Sequence, residues 1–409
     1  MLGRVLNTHQ QWICRQLADS GCIINRQVGI ADTASEIEAA VREALGRADL
    51  IITTGGLGPT SDDITRDLIA KLLGKSLHED AAAMANIKNF FESRKRAMPD
   101  KVGVQALAPE GAMVIQNAHG LAPGLVIEVN PNPFRPDGRR SWLIMLPGPP
   151  RELRPMWKES IVPLLARLFP SKQFFSCRTL RSTGIGESVI QERIHAPLDS
   201  LVQKGLEVGY CARSGQVDIR LAAHGTEASA LVADAEKIVR EQTGDHVFGS
   251  EGDELESIIV RILTERKRTL ALAESCTGGL ISNRITNVPG ASAVLLAGLV
   301  TYSNEAKQQF LGVNTDTLAE HGAISKPVAK EMAEGAKQRT NSDYALSVTG
   351  IAGPSGGTEQ KPVGTVFIGL AGPFETIVLK NYNPYDRETF KQVTADQALN
   401  LLRLKLIRP

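Results

Sequence analysis

The chain of 409 residues carries only five cysteines, Cys14, Cys22, Cys177, Cys211 and Cys276, scattered and without a CxxC pair. That spacing argues against a disulfide framework and against a cysteine-built zinc site, and it fits a reducing cytoplasm. Net charge is nearly absent, since 46 Lys+Arg against 45 Asp+Glu leave +1. Composition therefore supplies no global field that would draw in nucleic acid or an anionic membrane. No basic run is longer than Arg94-Lys95-Arg96. Long apolar runs are missing too. The longest, Ala291 to Val300, is too short to span a bilayer. Met1-Leu2-Gly3-Arg4 lacks the apolar core of a signal peptide. What remains is a cytoplasmic globular protein, with length for about two or three domains.

Three blocks are legible. In residues 1–168, helical patterns alternate with short apolar strands such as Asp49–Thr54 and Trp142–Leu146, which predicts a mostly parallel sheet covered by helices. Residues 170–248 read as a small α+β module with a hairpin around Ser214-Gly215. Gly249-Ser250-Glu251-Gly252-Asp253 reads as a linker. Residues 255–409 form an α/β block: an amphipathic helix from Leu255, then strands at Thr269–Ala273, Tyr344–Thr349 and Gly364–Gly369.

The third block places Glu274-Ser275-Cys276-Thr277-Gly278-Gly279 at a strand-to-helix junction. Such a junction exposes backbone N–H groups in a field that favours negative charge, and glycine lets a ligand approach closely. A plain N-cap is the competing reading of the same hydroxyls. Two further strand ends carry polar groups: Tyr302-Ser303-Asn304-Glu305-Ala306-Lys307, and Thr349-Gly350 with the glycine-rich segment after it. Open α/β sheets bind ligands outside the carboxyl ends of their strands, so these ends are expected to share one pocket. Only His321 is available as a histidine in this block, which leaves a Ser-His-Asp triad poorly supported. A lysine-activated serine is the more economical pair, with Cys276 as rival nucleophile. The first block has its own glycine turn, Gly55-Gly56-Leu57-Gly58, followed by Asp62 and Asp63. Such a turn can wrap phosphates or a pterin, and adjacent carboxylates can hold a divalent cation; Asp-Asp-x-Thr is equally a helix start.

The segments ALAESCTGGLIS, VPGAS, VTYSNEAK, HGAIS, SVTGIAGPSGG and KPVGTVFIG resemble the CinA (competence/damage-inducible) family. Its carboxyl-terminal domain is a nicotinamide-nucleotide amidohydrolase. The resemblance implies hydrolysis of nicotinamide mononucleotide to nicotinate mononucleotide and ammonia, without a cofactor. It implies Ser275 as nucleophile and Tyr302 and Lys307 as activating groups. Ser292 and Thr349 become pocket residues, with Cys276, Thr277, Gly278, Gly279 and Gly350 lining the substrate. Arg387 resembles the family's basic residue before the last helix and is expected to meet the substrate phosphate, where a guanidinium can bind two oxygens. Backbone N–H groups from Cys276 to Gly279 are candidates for the oxyanion. Gly55, Gly56, Gly58 and Asp63 resemble the GGxGxxxxD signature of molybdopterin-binding domains, and LPGPPREL a second signature. In this family that domain is tied to metal-dependent hydrolysis of ADP-ribose, and Asp62, Asp63 and Glu152 are its candidate metal ligands. The fold implied is a three-layer molybdopterin-binding-like domain, a small KH-like linker domain and a CinA-type α/β domain, in a homodimer. The KH likeness brings no nucleic-acid expectation, because no GXXG loop with basic flanks is present. A non-catalytic nucleotide- or pterin-binding scaffold is the alternative function. The family also has a strand and a Gly-x-Glu turn before the segment that begins here at Met1. That implies a gene start about 15 residues upstream, or an amino-terminal domain impaired in catalysis.

Overall fold

The computed structural model describes residues 7–170 and 175–408. Two compact units meet in sequence between Gln173 and Phe174. Among the described residues, no helix is long and apolar enough to cross a membrane. The expectation about the chain start falls on residues 1–6 and what precedes them, outside the described residues.

In the first unit, strand Leu50–Thr54 runs parallel to Ser141–Leu146, which pairs antiparallel with Gly124–Val129, itself antiparallel to Met113–Ile115. Among the described residues, one parallel pair in a four-stranded sheet corrects the expected mostly parallel arrangement. The cause is local: segments 116–123 and 130–140 join the last three strands without a helix, and a parallel return needs a crossover that is usually a helix. Side chains alternate across the sheet. Leu125, Ile127, Val129, Leu143 and Met145 pack on helices Ala34–Leu45 and Thr65–Leu72. Val126, Ile144 and Leu146 face the other way, onto Ile13, Leu17, Met156 and Trp157. That period of two gives a sheet buried on both faces between helices.

The second unit holds two sheets. Strands Val247–Ser250, Phe175–Thr183, Gln216–His224 and Glu207–Arg213 form an antiparallel sheet in that order. Helices Glu187–Val202 and Ala228–Thr243 share its core, through Leu180, Ile219 and Leu221 on the sheet side. The expected hairpin is present, with Arg213 paired to Gln216 across its turn.

The other sheet has the order Leu295–Val300, Leu270–Glu274, Tyr344–Gly350, Thr365–Ala371, Thr376–Tyr382. Its first three strands are parallel and its last two antiparallel. The sequence Leu270-Ala271-Leu272-Ala273 shows how the layers are set. Leu270 and Leu272 enter a core with helices Leu255–Glu265, Leu280–Thr286 and Arg387–Ile407. Ala271 and Ala273 face helix Lys326–Thr340, through Val328, Met332, Ala333 and Ala336. Small residues on that side let the helix come close. A β-carbon added at Gly369 would lie 2.6 Å from the Ala329 carbonyl oxygen. Each leucine buried on the opposite face stabilises the fold by about 1.5–3 kcal/mol.

Candidate active site

Because three strands run parallel, their carboxyl ends lie at one edge, and the backbone stitches those ends together. Ser275 N–H donates to the Val348 carbonyl at 3.0 Å, and Thr301 N–H donates to the Glu274 carbonyl at 2.8 Å. The turn after Glu274 is made by Gly278 and Gly279, at φ +63° and +93°, where a side chain would be strained.

Lys307 enters from helix Asn304–Leu311, whose start is capped by Ser303 Oγ accepting from Ala306 N–H at 3.1 Å. Helical side chains lean toward the helix amino terminus, which carries the Lys307 ammonium back over the preceding strand end. Its Nζ donates to the carbonyls of Thr301 at 2.9 Å and Tyr302 at 3.2 Å, and lies 3.1 Å from Ser275 Oγ. Lys307 is 1% exposed. Burial pushes its pKa below the ordinary value of 10.5, opposed by the neighbouring Cys276 and Glu305. The geometry also suits the neutral amine. A neutral amine has two N–H donors, matched by the two carbonyls, and its lone pair then faces the serine hydroxyl.

Cys276 is also buried, and burial pushes its thiol up to about 12. A thiol that stays protonated at neutral pH is a poor nucleophile.

The expected oxyanion donors are narrowed by a residue that the sequence reading did not assign. Glu274 is 1% exposed. Its carboxylate accepts from Gly279 N–H at 3.0 Å, Ile281 N–H at 3.1 Å, Ser282 N–H at 2.8 Å and Ser282 Oγ at 2.7 Å. The helix start is therefore already occupied by an anion of the chain itself. Gly278 N–H is spent as well, on the Ser275 carbonyl at 3.1 Å. Among the described residues, the N–H groups of Cys276 and Thr277 bond to no other residue. These two are free to meet an oxyanion. The hydroxyls of Thr277 and Thr301 are likewise buried without a partner. The signal for Glu274 was an acidic residue just before a glycine turn and a helix start.

Other expected residues are placed as follows. Thr349 is buried, and its hydroxyl donates to the Ala323 carbonyl at 2.9 Å, a tie between segments. Gly350 closes its strand, where a β-carbon would meet the Thr365 carbonyl oxygen at 2.8 Å. Arg387 donates to the Gly353 carbonyl at 2.9 Å and to Tyr302 Oη at 3.0 Å, so its two terminal nitrogens hold protein atoms. Ser292 is not brought to the site. It is exposed in the turn Ala291–Ala293, before Leu295, and Leu295 pairs with Leu270 at the opposite end of the strand from Ser275.

The metal expectation for the first unit does not fit the donor set. Among the described residues there is no group of three or more His, Cys, Asp or Glu able to hold a metal ion. Asp63 turns back onto its own loop, accepting from Thr60 N–H at 3.1 Å and from the Thr60 hydroxyl. Glu152 is buried and accepts from Asn117 Nδ2 at 2.8 Å, while Asp62 stands exposed. The glycines there serve packing: a β-carbon at Gly56 would lie 2.0 Å from Thr65 Oγ1, and one at Gly58 would lie 2.3 Å from Asp63 Oδ2.

The family comparisons cover both units. Residues 1–167 match the "Probable molybdopterin binding domain" family. Residues 177–249 match the "Damage-inducible protein CinA KH domain", and residues 252–406 the "CinA C-terminal domain". A CinA-like protein of Akkermansia muciniphila is 42% identical over 98% of this chain and 93% of its own. The chain belongs to the CinA family. A CinA-like protein of Kosmotoga olearia is 38% identical over 100% of this chain and 96% of its own. Among solved structures, a competence/damage inducible protein from Agrobacterium tumefaciens is 39% identical, covering 38% of this chain and 94% of its own at a TM-score of 0.37.

Proposed function

We propose that the carboxyl-terminal domain is an amidase that hydrolyses nicotinamide mononucleotide to nicotinate mononucleotide and ammonia. The observation that carries this reading is the buried Lys307 Nζ at 3.1 Å from Ser275 Oγ. A lysine held below its ordinary pKa beside a serine is a general base beside a nucleophile.

In this reading Ser275 Oγ attacks the carboxamide carbon while its proton passes to neutral Lys307. The carbonyl oxygen becomes an oxyanion, held by the N–H groups of Cys276 and Thr277. Lys307 returns the proton to the leaving nitrogen, the C–N bond breaks, and ammonia departs from an acyl ester on Ser275. Lys307 then takes a proton from water as it attacks the ester, and returns it to Ser275 Oγ as the acid leaves. Thr301 and Tyr302 hold the lysine by their backbone carbonyls, and Arg387 holds the Tyr302 phenol at the mouth. The reading places the protein in the cytoplasm as a homodimer acting on a pyridine nucleotide, with no cofactor for this step.

The test is ammonia release from nicotinamide mononucleotide by the full chain. Ser275→Ala is expected to lose activity by about a thousandfold or more, while Cys276→Ala stays within a few-fold of the parent. A dead Cys276→Ala beside an active Ser275→Ala assigns the nucleophile to the thiol. No ammonia from the parent protein favours the non-catalytic scaffold.

A further inference from the structure

The last helix, Arg387–Ile407, carries a second cation one turn beyond Arg387. Lys391 is partly buried, and among the described residues it forms no hydrogen bond or ion pair. Residues four apart share one helix face, so Lys391 and Arg387 look toward the same side. The place Lys391 looks at is Gly278. A β-carbon built there has Lys391 Nζ, at 3.9 Å, as its only neighbour within 4 Å. Gly278 stands three residues after Ser275, at positive φ and without a side chain. The ammonium therefore lies against the catalytic turn, and among the described residues nothing of the protein pairs with its charge. A partly buried ammonium without a partner is unfavourable on its own and is relieved by an anion.

Arg387 is in a different position. Its terminal nitrogens already hold Gly353 and the Tyr302 phenol. Two of its five N–H donors are thereby taken, whereas Lys391 has all three of its own unspent.

We infer that Lys391 is the residue that selects a phosphorylated substrate, receiving a phosphate monoester beside Gly278, and that Arg387 acts through Tyr302 as a positioning residue. This rests on the amidase reading for its substrate, but the cation site stands on its own geometry. Lysine binds phosphate as a point charge, so arginine at this position preserves the charge while methionine removes it at similar length.

The experiment compares the full chain with Lys391→Met, Lys391→Arg and Arg387→Met in two assays. The first is ammonia release from nicotinamide mononucleotide and from nicotinamide riboside, which lacks the phosphate. Lys391→Met is expected to lower the preference for the nucleotide by about tenfold to a hundredfold, mainly through KM, as loss of a charged hydrogen bond does. Lys391→Arg is expected to restore most of that preference. Arg387→Met is expected to slow both substrates alike and leave the preference in place. Equal losses on both substrates for Lys391→Met, or a collapse of preference only in Arg387→Met, overturn the assignment. The second assay is calorimetric binding of ribose 5-phosphate, which needs no chemistry. Weaker binding by about tenfold in Lys391→Met, alongside a parent that releases no ammonia, upholds the phosphate site and removes the amidase reading. Unchanged ribose 5-phosphate binding in Lys391→Met removes the phosphate site whatever the ammonia assay shows.

Discussion

The molecule contains the same backbone device twice, with different contents. Strand Leu50–Thr54 ends in Gly55 and Gly56, at φ +90° and +69°; strand Leu270–Glu274 ends in a turn made by Gly278 and Gly279, at +63° and +93°. Around the first turn Asp63 accepts from Thr60 and Glu152 from Asn117, and the Thr53 hydroxyl is buried without a partner. Around the second, Ser275 faces a buried lysine, two backbone N–H groups stay free, and two hydroxyls are buried without partners. A glycine turn at a strand end is thus a way to bring backbone close to something. Both turns leave a buried polar group short of a partner, at a cost of about 1–3 kcal/mol each, and what separates them is the buried lysine set against a serine at the second.

The largest effect that separates the turns is at Lys307. Lys307→Met is expected to reduce ammonia release by about a thousandfold or more. The pair Asp63→Asn and Glu152→Gln, in the first turn, is expected to leave it within about twofold, because neither residue shares a bonding partner with Ser275 or Lys307. Comparable losses from both sets would mean that the first turn takes part in the amidase reaction.

A smaller effect is expected at Glu274, which fixes the second turn from beneath. Glu274→Ala leaves three backbone N–H groups and the Ser282 hydroxyl without their acceptor. The expected cost is at least about 3 kcal/mol of stability, read by denaturant unfolding. Glu274→Gln keeps an acceptor oxygen and is expected to recover part of both stability and kcat. A fully stable Glu274→Ala would show that the glycines alone hold the turn.

Much of this was legible in the sequence, and the rest was hidden for identifiable reasons. The α/β class and the strand that leads into Ser275 follow from short apolar runs ending in glycine. The convergence of Ser275, Lys307 and Thr349 on one edge follows from parallel strands. Strand direction in the first unit was not legible, because a period of two is the same in parallel and antiparallel sheets. Ser292 misled because a motif gives order along the chain but not which end of a strand it stands at. Glu274 and Lys391 were missed for opposite reasons. Glu274 lay inside the motif but its role depends on four donors that only the fold gathers. Lys391 lay outside every motif, and its nearness to Gly278 joins positions far apart in the chain.

The central claim is that Lys307 works as the neutral base for Ser275, and the pH dependence of kcat/KM tests it most directly. Burial lowers the folded pKa of Lys307 below 10.5. The neutral, active form therefore fills in as pH rises through that lowered value, and activity is lost below it. From about pH 6 to about pH 10, the parent protein is expected to show a rising limb that levels off before the ordinary lysine range. Lys307→Arg, whose guanidinium keeps its proton throughout, is expected to stay at the residual rate at every pH. A Lys307→Arg protein that retains the parent's rate and profile would contradict the account.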